Sequence, residues 1–321
     1  MSLIGKIVYN LYYKRKNQKA IIKKFGGRQN YLSMLRAEKE MKRYALNTLT
    51  INSGFNSDGK FKINFLTGDD FIHQTLFCTY SFFRFLTLAE SNDFSVNYYS
   101  DGTLSTATIN IIKARFPQIR VVDFEESKRA IRHYLPMAAY PYLNKKIDTL
   151  PLFKKLIFPH LTNTGLATFF DSDMLFLKRP ADFLNWLYKG ENDNNGTFCI
   201  VDVDRSYGYT DEQILKVWPK TVKNNINSGM YSINSTQVDL PFIERLVKAF
   251  EDDYGSQYYM EQLITAILLE KAGSLFVAPK AEYIVLPTRE QVEEQTGTLH
   301  HFVNQSKEFY FKTGWRKQVS Q

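Results

Sequence analysis

"LATFFDSDMLFLKRP" (166–180) sets two aspartates, one residue apart, between two apolar runs. Asp171 closes the first run and Asp173 opens the second, so the acidic pair belongs to a strand end and not to a polar surface segment. A carboxylate at the end of a buried strand, with a second two residues on, brings two oxygen donors to one point at the mouth of a sheet. Hard oxygen donors of this kind suit Mg²⁺ or Mn²⁺, which keep waters and take further ligands from a substrate phosphate. The pair therefore points to a metal–diphosphate. Asp202 and Asp204 in "CIVDVDRS" form a second such pair, but no apolar run follows them, and they read as a strand end and loop.

The neighbouring runs repeat one pattern. "FKINFLTG" (61–68), "FSVNYYSDG" (94–102) and "IRVVDF" (119–124) read as strands, each closing near Gly, Asp or Ser. Between them, "HQTLFCTYSFFRFLTLAE" (73–90) and "LSTATINIIKARF" (104–116) read as helices. Strands alternating with helices of this length predict an α/β domain with a parallel sheet covered on both faces, its ligands at the carboxyl ends of the strands. Thr67, Gly68 and Asp101 end the first two strands, where a nucleotide's base and ribose would sit; as plain turn residues they read nearly as well. "LPLFKKLIFPHL" (150–161) predicts a short amphipathic helix, "GLATFF" (165–170) the strand that runs into Asp171, and "ADFLNWLYKG" (181–190) a further helix. After the polar loop "ENDNNG" come a strand "TFCIVDVD" (197–204), a turn-rich region and a strand "INSGMYSIN" (226–234). Helices near 240–253 and 258–272 are expected to be amphipathic from the spacing of Phe242, Leu246 and Phe250, and of Leu263, Ile267 and Leu268.

The formal charge of +8 is unevenly placed. Residues 1–50 hold twelve Lys/Arg against Glu38 and Glu40, a net +10, while the other 271 residues carry 29 basic and 31 acidic side chains, a net −2. The folded body is therefore no basic polymer binder, and nucleic acid is not an expected partner. In "MSLIGKIVYNLYYKRK" Leu3, Ile4, Ile7, Val8, Leu11 and Tyr12 share one helical face, and seven basic residues follow between positions 14 and 28. Residues 1–28 read either as an interfacial helix on an anionic membrane surface or as a helix docked on the domain with a solvated basic face. Cys78 and Cys199 lie in apolar runs without metal-ligand spacing and read as buried free thiols of a reducing, cytoplasmic compartment. The N-terminus lacks an apolar segment with a small-residue cleavage site, and no apolar run reaches the length of a membrane span.

Four separated segments carry a likeness to a known family. "KLIFPHLTNTGLATFFDSDMLFLK" (155–178), Asn227-Ser228-Gly229, "YMEQLITAIL" (259–268) and "LHHFVNQSKEF" (299–309) together resemble a retaining glycosyltransferase of family 8, with the GT-A fold. The first looks like that family's R-L-x-x-P helix and D-x-D strand, with Lys155 in place of Arg, and the second like its N-[AS]-G strand start. The third is similar to its acidic-Gln helix start, here Glu261-Gln262, and the fourth to H-F-x-G-x-x-K-P-W, with Asn304 for Gly and Glu308-Phe309 for Pro-Trp. The resemblance implies that Asp171, Asp173 and His301 hold Mn²⁺ (or Mg²⁺) and that Lys307 and Lys155 face the diphosphate. It implies that Asn227 and Gly229 face donor and acceptor sugar, with Gln262 beside the anomeric carbon. In "HHFV" the strand alternates faces, so with His301 as the ligand His300 points the other way; His73, His133 and His160 read as surface or helix-end residues.

The expected organisation is a basic amphipathic arm (1–54), one GT-A-type Rossmann-like domain with a mostly parallel mixed sheet (55–315) and a short tail (316–321). The expected reaction moves a hexose from a nucleotide-diphosphate sugar, UDP-linked by the likeness, to a glycan or lipid-linked glycan with retention, at the inner face of a membrane if the arm binds there. Gln262 would be a poor nucleophile in the place where a retaining hydrolase has a carboxylate. Same-face attack is then expected. A haloacid-dehalogenase-type phosphatase also carries D-x-D after a strand, but its pattern puts Thr or Val where this chain has Leu175. A sugar nucleotidyltransferase and a catalytically silent glycan-binding relative remain as rivals; the first leaves "NSG" and "HHFVNQSK" without a role.

Overall fold

A computed structural model describes residues 14–51, 54–190, 196–222 and 225–320, with side chains from residue 19. The strands are β1 (Phe61–Thr67), β2 (Phe94–Ser100), β3 (Arg120–Val122), β4 (Leu166–Phe170), β5 (Met174–Phe176), β6 (Thr197–Val201), β7 (Ile226–Asn234), β8 (Leu275–Val277), β9 (Tyr283–Val285) and β10 (Leu299–His301). Seven of them form one sheet in the order β3-β2-β1-β4-β7-β6-β8. β3, β2, β1 and β4 run parallel, as do β6 and β8, whereas β7 is antiparallel to both its neighbours. β2 is buried along its whole length, and β1 nearly so, because helices cover both faces of the sheet. The polar residues these strands bury are paired, Asn97 Nδ2 donating to Asn64 Oδ1 at 3.0 Å and Asn64 Nδ2 to Thr168 O at 3.0 Å.

The chain leaves β1 toward β2 and β3, then returns to place β4 on the other side of β1. Such a reversal opens a crevice at the carboxyl ends of the two central strands. Thr67-Gly68 leave β1 there and Asp171-Ser172-Asp173 leave β4 there. A second small sheet, β5-β10-β9, hangs beside the crevice, with β10 antiparallel to β5 and parallel to β9.

Two apolar layers flank the main sheet. On one side Met41, Phe77, Phe82, Phe170 and Trp315 pack together; on the other, Leu156, Phe169, Tyr231, Val247 and Leu263 do. The Arg28–Asn47 helix contributes Met34, Ala37, Met41 and Ala45 to the first layer. The apolar-stripe helix expected at the N-terminus falls largely on residues 1–13, outside the described residues, as does most of "ENDNNG" (191–195). No described helix is long and apolar enough to cross a membrane. Cys78 and Cys199 are buried and unpaired with each other.

Three expectations are corrected. The helix read over 73–90 is two, Ile72–Phe83 and Leu88–Asn92, because Thr87 and Glu90 form a capping box that starts a new helix. The Phe153–Leu161 helix is buried at every residue and Met260–Lys271 at its first ten, so neither is amphipathic; both lie between the sheet and other helices. His73 and His160 are near helix ends but buried, at 1% and 8% exposure, while His133 is exposed.

The buried histidines have a consequence for acid stability. Burial depresses His73 to about 3, helped by Lys42 and Lys307, and depresses His160 and His300 to about 4, all from 6.5. Between 6.5 and those values the unfolded chain binds protons that the folded chain refuses, so this stability is present above pH 6.5 and lost as pH falls. At about pH 5.5 the three together are expected to remove about 4 kcal/mol. Thermal unfolding followed from neutral pH downward checks this; an unchanged midpoint would contradict it.

Candidate active site

The aspartate loop is fixed from both sides. Asp171 N–H donates to Gly229 O at 2.6 Å, which extends the β4–β7 ladder by one residue. The Ser172 hydroxyl meets that of Thr75 at 2.8 Å, and Thr75 meets Thr67 at 2.8 Å, so a buried hydroxyl chain ties the loop to β1 and to the Ile72–Phe83 helix. Thr67, expected at the nucleotide, is buried and engaged in this chain. After the loop, β5 pairs with β10 so that His301 lies opposite Met174, and Phe302 N–H donates to Asp173 O at 2.8 Å.

That pairing brings His301 Nε2 to 3.2 Å from Asp173 and 3.6 Å from Asp171. Ligand atoms of Asp171, Asp173 and His301 all lie within 4.8 Å of one another, the one such group found among the described residues. A mixed set of two carboxylates and one imidazole fits Mn²⁺ well, since that ion accepts both oxygen and nitrogen donors. His300 faces away, and its Nε2–H donates to Thr296 O at 2.7 Å. Lys307 Nζ lies 3.0 Å from Asp173 and 5.9 Å from the centre of the exposed Phe71 ring. Burial pushes the Asp173 carboxyl up, but Lys307 and His301 outweigh it and hold it well below the usual carboxylate range.

Gly229 is where the backbone must pass under this cluster. A Cβ there would lie 2.4 Å from His301 Cε1, 2.7 Å from Asn227 Oδ1 and 2.9 Å from Asp171 Oδ2. Gly229→Ala is therefore expected to spread the three ligands, to cost about 1–3 kcal/mol of stability, and to abolish any metal-dependent stabilisation by nucleotide. A thermal-shift comparison with and without Mn²⁺ tests this, and an unaltered metal response would sink it. Gly68 is similarly confined, with a Cβ position 2.1 Å from Thr103 Oγ1 and 2.5 Å from Asp101 Oδ1. Asp101 accepts from the Thr103 N–H and hydroxyl, both at 2.7 Å, so its carboxylate closes its own turn.

On the far side of Asp171 lies a second set. Lys155 Nζ, 3% exposed, donates to Ser228 O at 3.1 Å and lies 3.4 Å from Asp171 and 3.5 Å from Glu261. Glu261 accepts from Ser228 Oγ and Thr265 Oγ1, both at 3.0 Å. Asn227 Oδ1 accepts from Gly229 N–H at 2.8 Å while its Nδ2 donates to Asp202 at 3.2 Å. Gln262 Nε2 donates to the same Asp202 oxygen at 3.3 Å and to Ser206 O at 3.2 Å. Both of these partners accept only, so the amide nitrogen must face them and the Gln262 oxygen is left over. Asp202 thus holds two predicted site residues although its sequence context marks only a strand end.

No family model matches the sequence, and no curated protein matches it. Among solved structures, mouse xyloside xylosyltransferase 1 in its apo form matches with a TM-score of 0.51 at 12% identity, over 75% of this chain and 96% of its own. The bifunctional glycosyltransferase WbbM in its apo form matches with a TM-score of 0.50 at 11% identity, over 82% of this chain and 51% of its own. This chain has the GT-A glycosyltransferase fold.

Within that GT-A frame the departures from the family pattern acquire physical explanations. Asn304, where the pattern has Gly, sits at φ 53°. Asn is among the few residues that adopt the left-handed region at modest cost, so the backbone before Lys307 keeps its turn. Glu308 is buried against Lys312 at 3.1 Å, and Phe309 packs under Arg289, whose guanidinium lies 5.6 Å from its ring. The GT-A crevice, the three-ligand group and Lys307 coincide at the carboxyl ends of β1 and β4.

Proposed function

We propose that the protein is a metal-dependent glycosyltransferase, similar to family 8, that moves a hexose from a UDP-linked sugar to a glycan or lipid-linked glycan with retention. The observation that carries this reading is the convergence of Asp171, Asp173, His301 and Lys307 from distant parts of the chain at the sheet's switch point. Asp171, Asp173 and His301 would hold Mn²⁺, which when bound supplies Lewis-acid stabilisation of a departing diphosphate. Lys307 adds a fixed positive charge at the same oxygen atoms, worth most where water is excluded. Phe71 offers an exposed ring beside Lys307 for the nucleobase, and Gly68 and Asp101 close the turn beneath it.

Gln262, with its nitrogen tied to Asp202 and Ser206, turns its amide oxygen to the sugar. A neutral oxygen of that kind stabilises positive charge growing at the anomeric carbon without forming a bond as readily as a carboxylate. Lys155 and Glu261 position Asp171 and Ser228 from below.

The test is a thermal-shift panel of nucleoside diphosphates and nucleotide sugars with and without Mn²⁺. One nucleotide is expected to raise the midpoint only with the metal, by an amount that follows its concentration relative to Kd. Uniform silence across the panel would overturn the reading.

A further inference from the structure

The Arg28–Asn47 helix turns Met34, Ala37, Met41 and Ala45 to the core, which leaves its opposite stripe outward. That stripe holds Arg28, Leu32, Leu35, Arg36, Lys39 and Arg43, all exposed. Their spacing keeps them within an arc of about 100°, and the arc contains no acidic residue. None of its four cations meets a carboxylate among the described residues, and Glu40 at its border is paired with Arg316. The preceding Lys14–Lys24 helix adds exposed Lys19, Ile21 and Lys23.

We propose that this outward face docks on an anionic lipid bilayer. Cations interspersed with large aliphatic side chains match a surface that offers negative headgroups over an acyl boundary. Ile21 is 43% exposed, Leu32 42% and Leu35 37%, in a setting where a purely solvated helix face would carry polar residues. A strand of nucleic acid is the poorer match, because the exposed residues between 19 and 43 include no aromatic ring for base stacking. The segment before them adds Leu3, Ile4, Ile7, Val8 and Leu11 with Tyr9, Tyr12, Tyr13 and a single Lys6 in the first thirteen residues, an apolar and interfacial-aromatic composition.

The docking face is built into the body that carries the diphosphate cation. Lys24 Nζ donates to Asn304 Oδ1 at 2.9 Å, three residues before Lys307, and the Tyr44 and Trp315 rings pack at 5.6 Å. A bilayer contact made here is therefore expected to hold the Lys307 side of the cleft at a fixed attitude to the membrane.

The experiment is co-sedimentation of the full chain with phosphatidylcholine vesicles, with and without phosphatidylserine, at low and raised salt. Wild type is expected to bind only the anionic vesicles, and less in salt. Arg36→Gln/Lys39→Gln/Arg43→Gln is expected to weaken partitioning roughly five-fold per cation, about a hundred-fold in all. Leu32→Asn/Leu35→Asn, which leaves the charge unchanged, is expected to weaken it several-fold. The Mn²⁺-dependent nucleotide shift serves as a separate readout and should be equal in wild type and both variants. Wild-type partitioning by both variants would overturn the proposal and leave residues 1–16 as the lipid contact. Preference of the wild type for duplex nucleic acid over anionic vesicles would overturn it as well.

Discussion

Asp173→Ala is expected to abolish the Mn²⁺-dependent stabilisation by a nucleoside diphosphate and to lower transfer on the order of 10³-fold. Asp173 has two contacts that matter for this site: one oxygen meets His301 at 3.2 Å and the other meets Lys307 at 3.0 Å. Its removal takes away a ligand, leaves the imidazole without its closest carboxylate and frees the lysine that should face the phosphates. In wild type, ligand at about a hundred times its Kd adds about 2.7 kcal/mol, a shift of several degrees for a chain of this size. The variant should show none at the same concentration. Its unliganded stability should fall as well, because Lys307 and His301 hold the Asp173 carboxyl well below the usual carboxylate range and that favourable pairing is lost with it. Asp204→Ala is the matched control, since Asp204 occupies the same position in the second D-x-D but is exposed and belongs to no three-ligand group. Equal behaviour of the two variants would remove the metal–diphosphate site from the account.

How much of this was readable beforehand follows from what burial does to a sequence. β1, β2, β4 and β7 are covered on both faces; β4 shows as an apolar run ended by Asp171, while β1, β2 and β7 also bury Asn64, Asn97, Asn227 and Ser232, each hydrogen-bonded, among their apolar residues. The same burial hides helices: Phe153–Leu161 and Met260–Lys271 have no solvent face, so spacing of apolar residues could not describe them. It also hid the histidines, since nothing local distinguishes buried His73 from exposed His133. The Arg28–Asn47 helix did leave a signal, Met34, Ala37, Met41 and Ala45 at i, i+3, i+7 and i+11, beneath a charge density that suggested an arm. Asp202 left none. Its partners Asn227 and Gln262 are 25 and 60 residues away; the antiparallel pairing of β6 with β7 brings Asn227 to it, and the Met260–Lys271 helix packed on those strands brings Gln262.

Lys155→Met is expected to cost about 3–5 kcal/mol at neutral pH, the amount associated with leaving a buried charge unpaired. Lys155 and Glu261 are 3% and 1% exposed, and the lysine is the one cation within 4.0 Å of Glu261 among the described residues. Burial draws the Lys155 ammonium toward its neutral form, and Asp171 and Glu261 reverse that and raise it. Burial raises the Glu261 carboxyl even with Lys155 present, and Lys155 is the main influence opposing the rise. In the variant that opposition is gone, so the folded chain holds a proton on Glu261 to higher pH than the unfolded chain does. The penalty relative to wild type is then absent below the unfolded carboxylate pKa and complete above the raised folded one, so it should shrink as pH falls. Adding Glu261→Gln should restore most of the lost stability, because the amide oxygen can accept from one of the Ser228 and Thr265 hydroxyls while its NH2 donates to the other, without a charge to bury. Asp171 stays without its lysine in the double variant, so the metal-dependent nucleotide shift should remain reduced. A denaturant series at several pH values separates these outcomes. A pH-independent loss, or recovery of the nucleotide response together with stability, would mean that Lys155 only fills space and that the pair with Glu261 does not position Asp171.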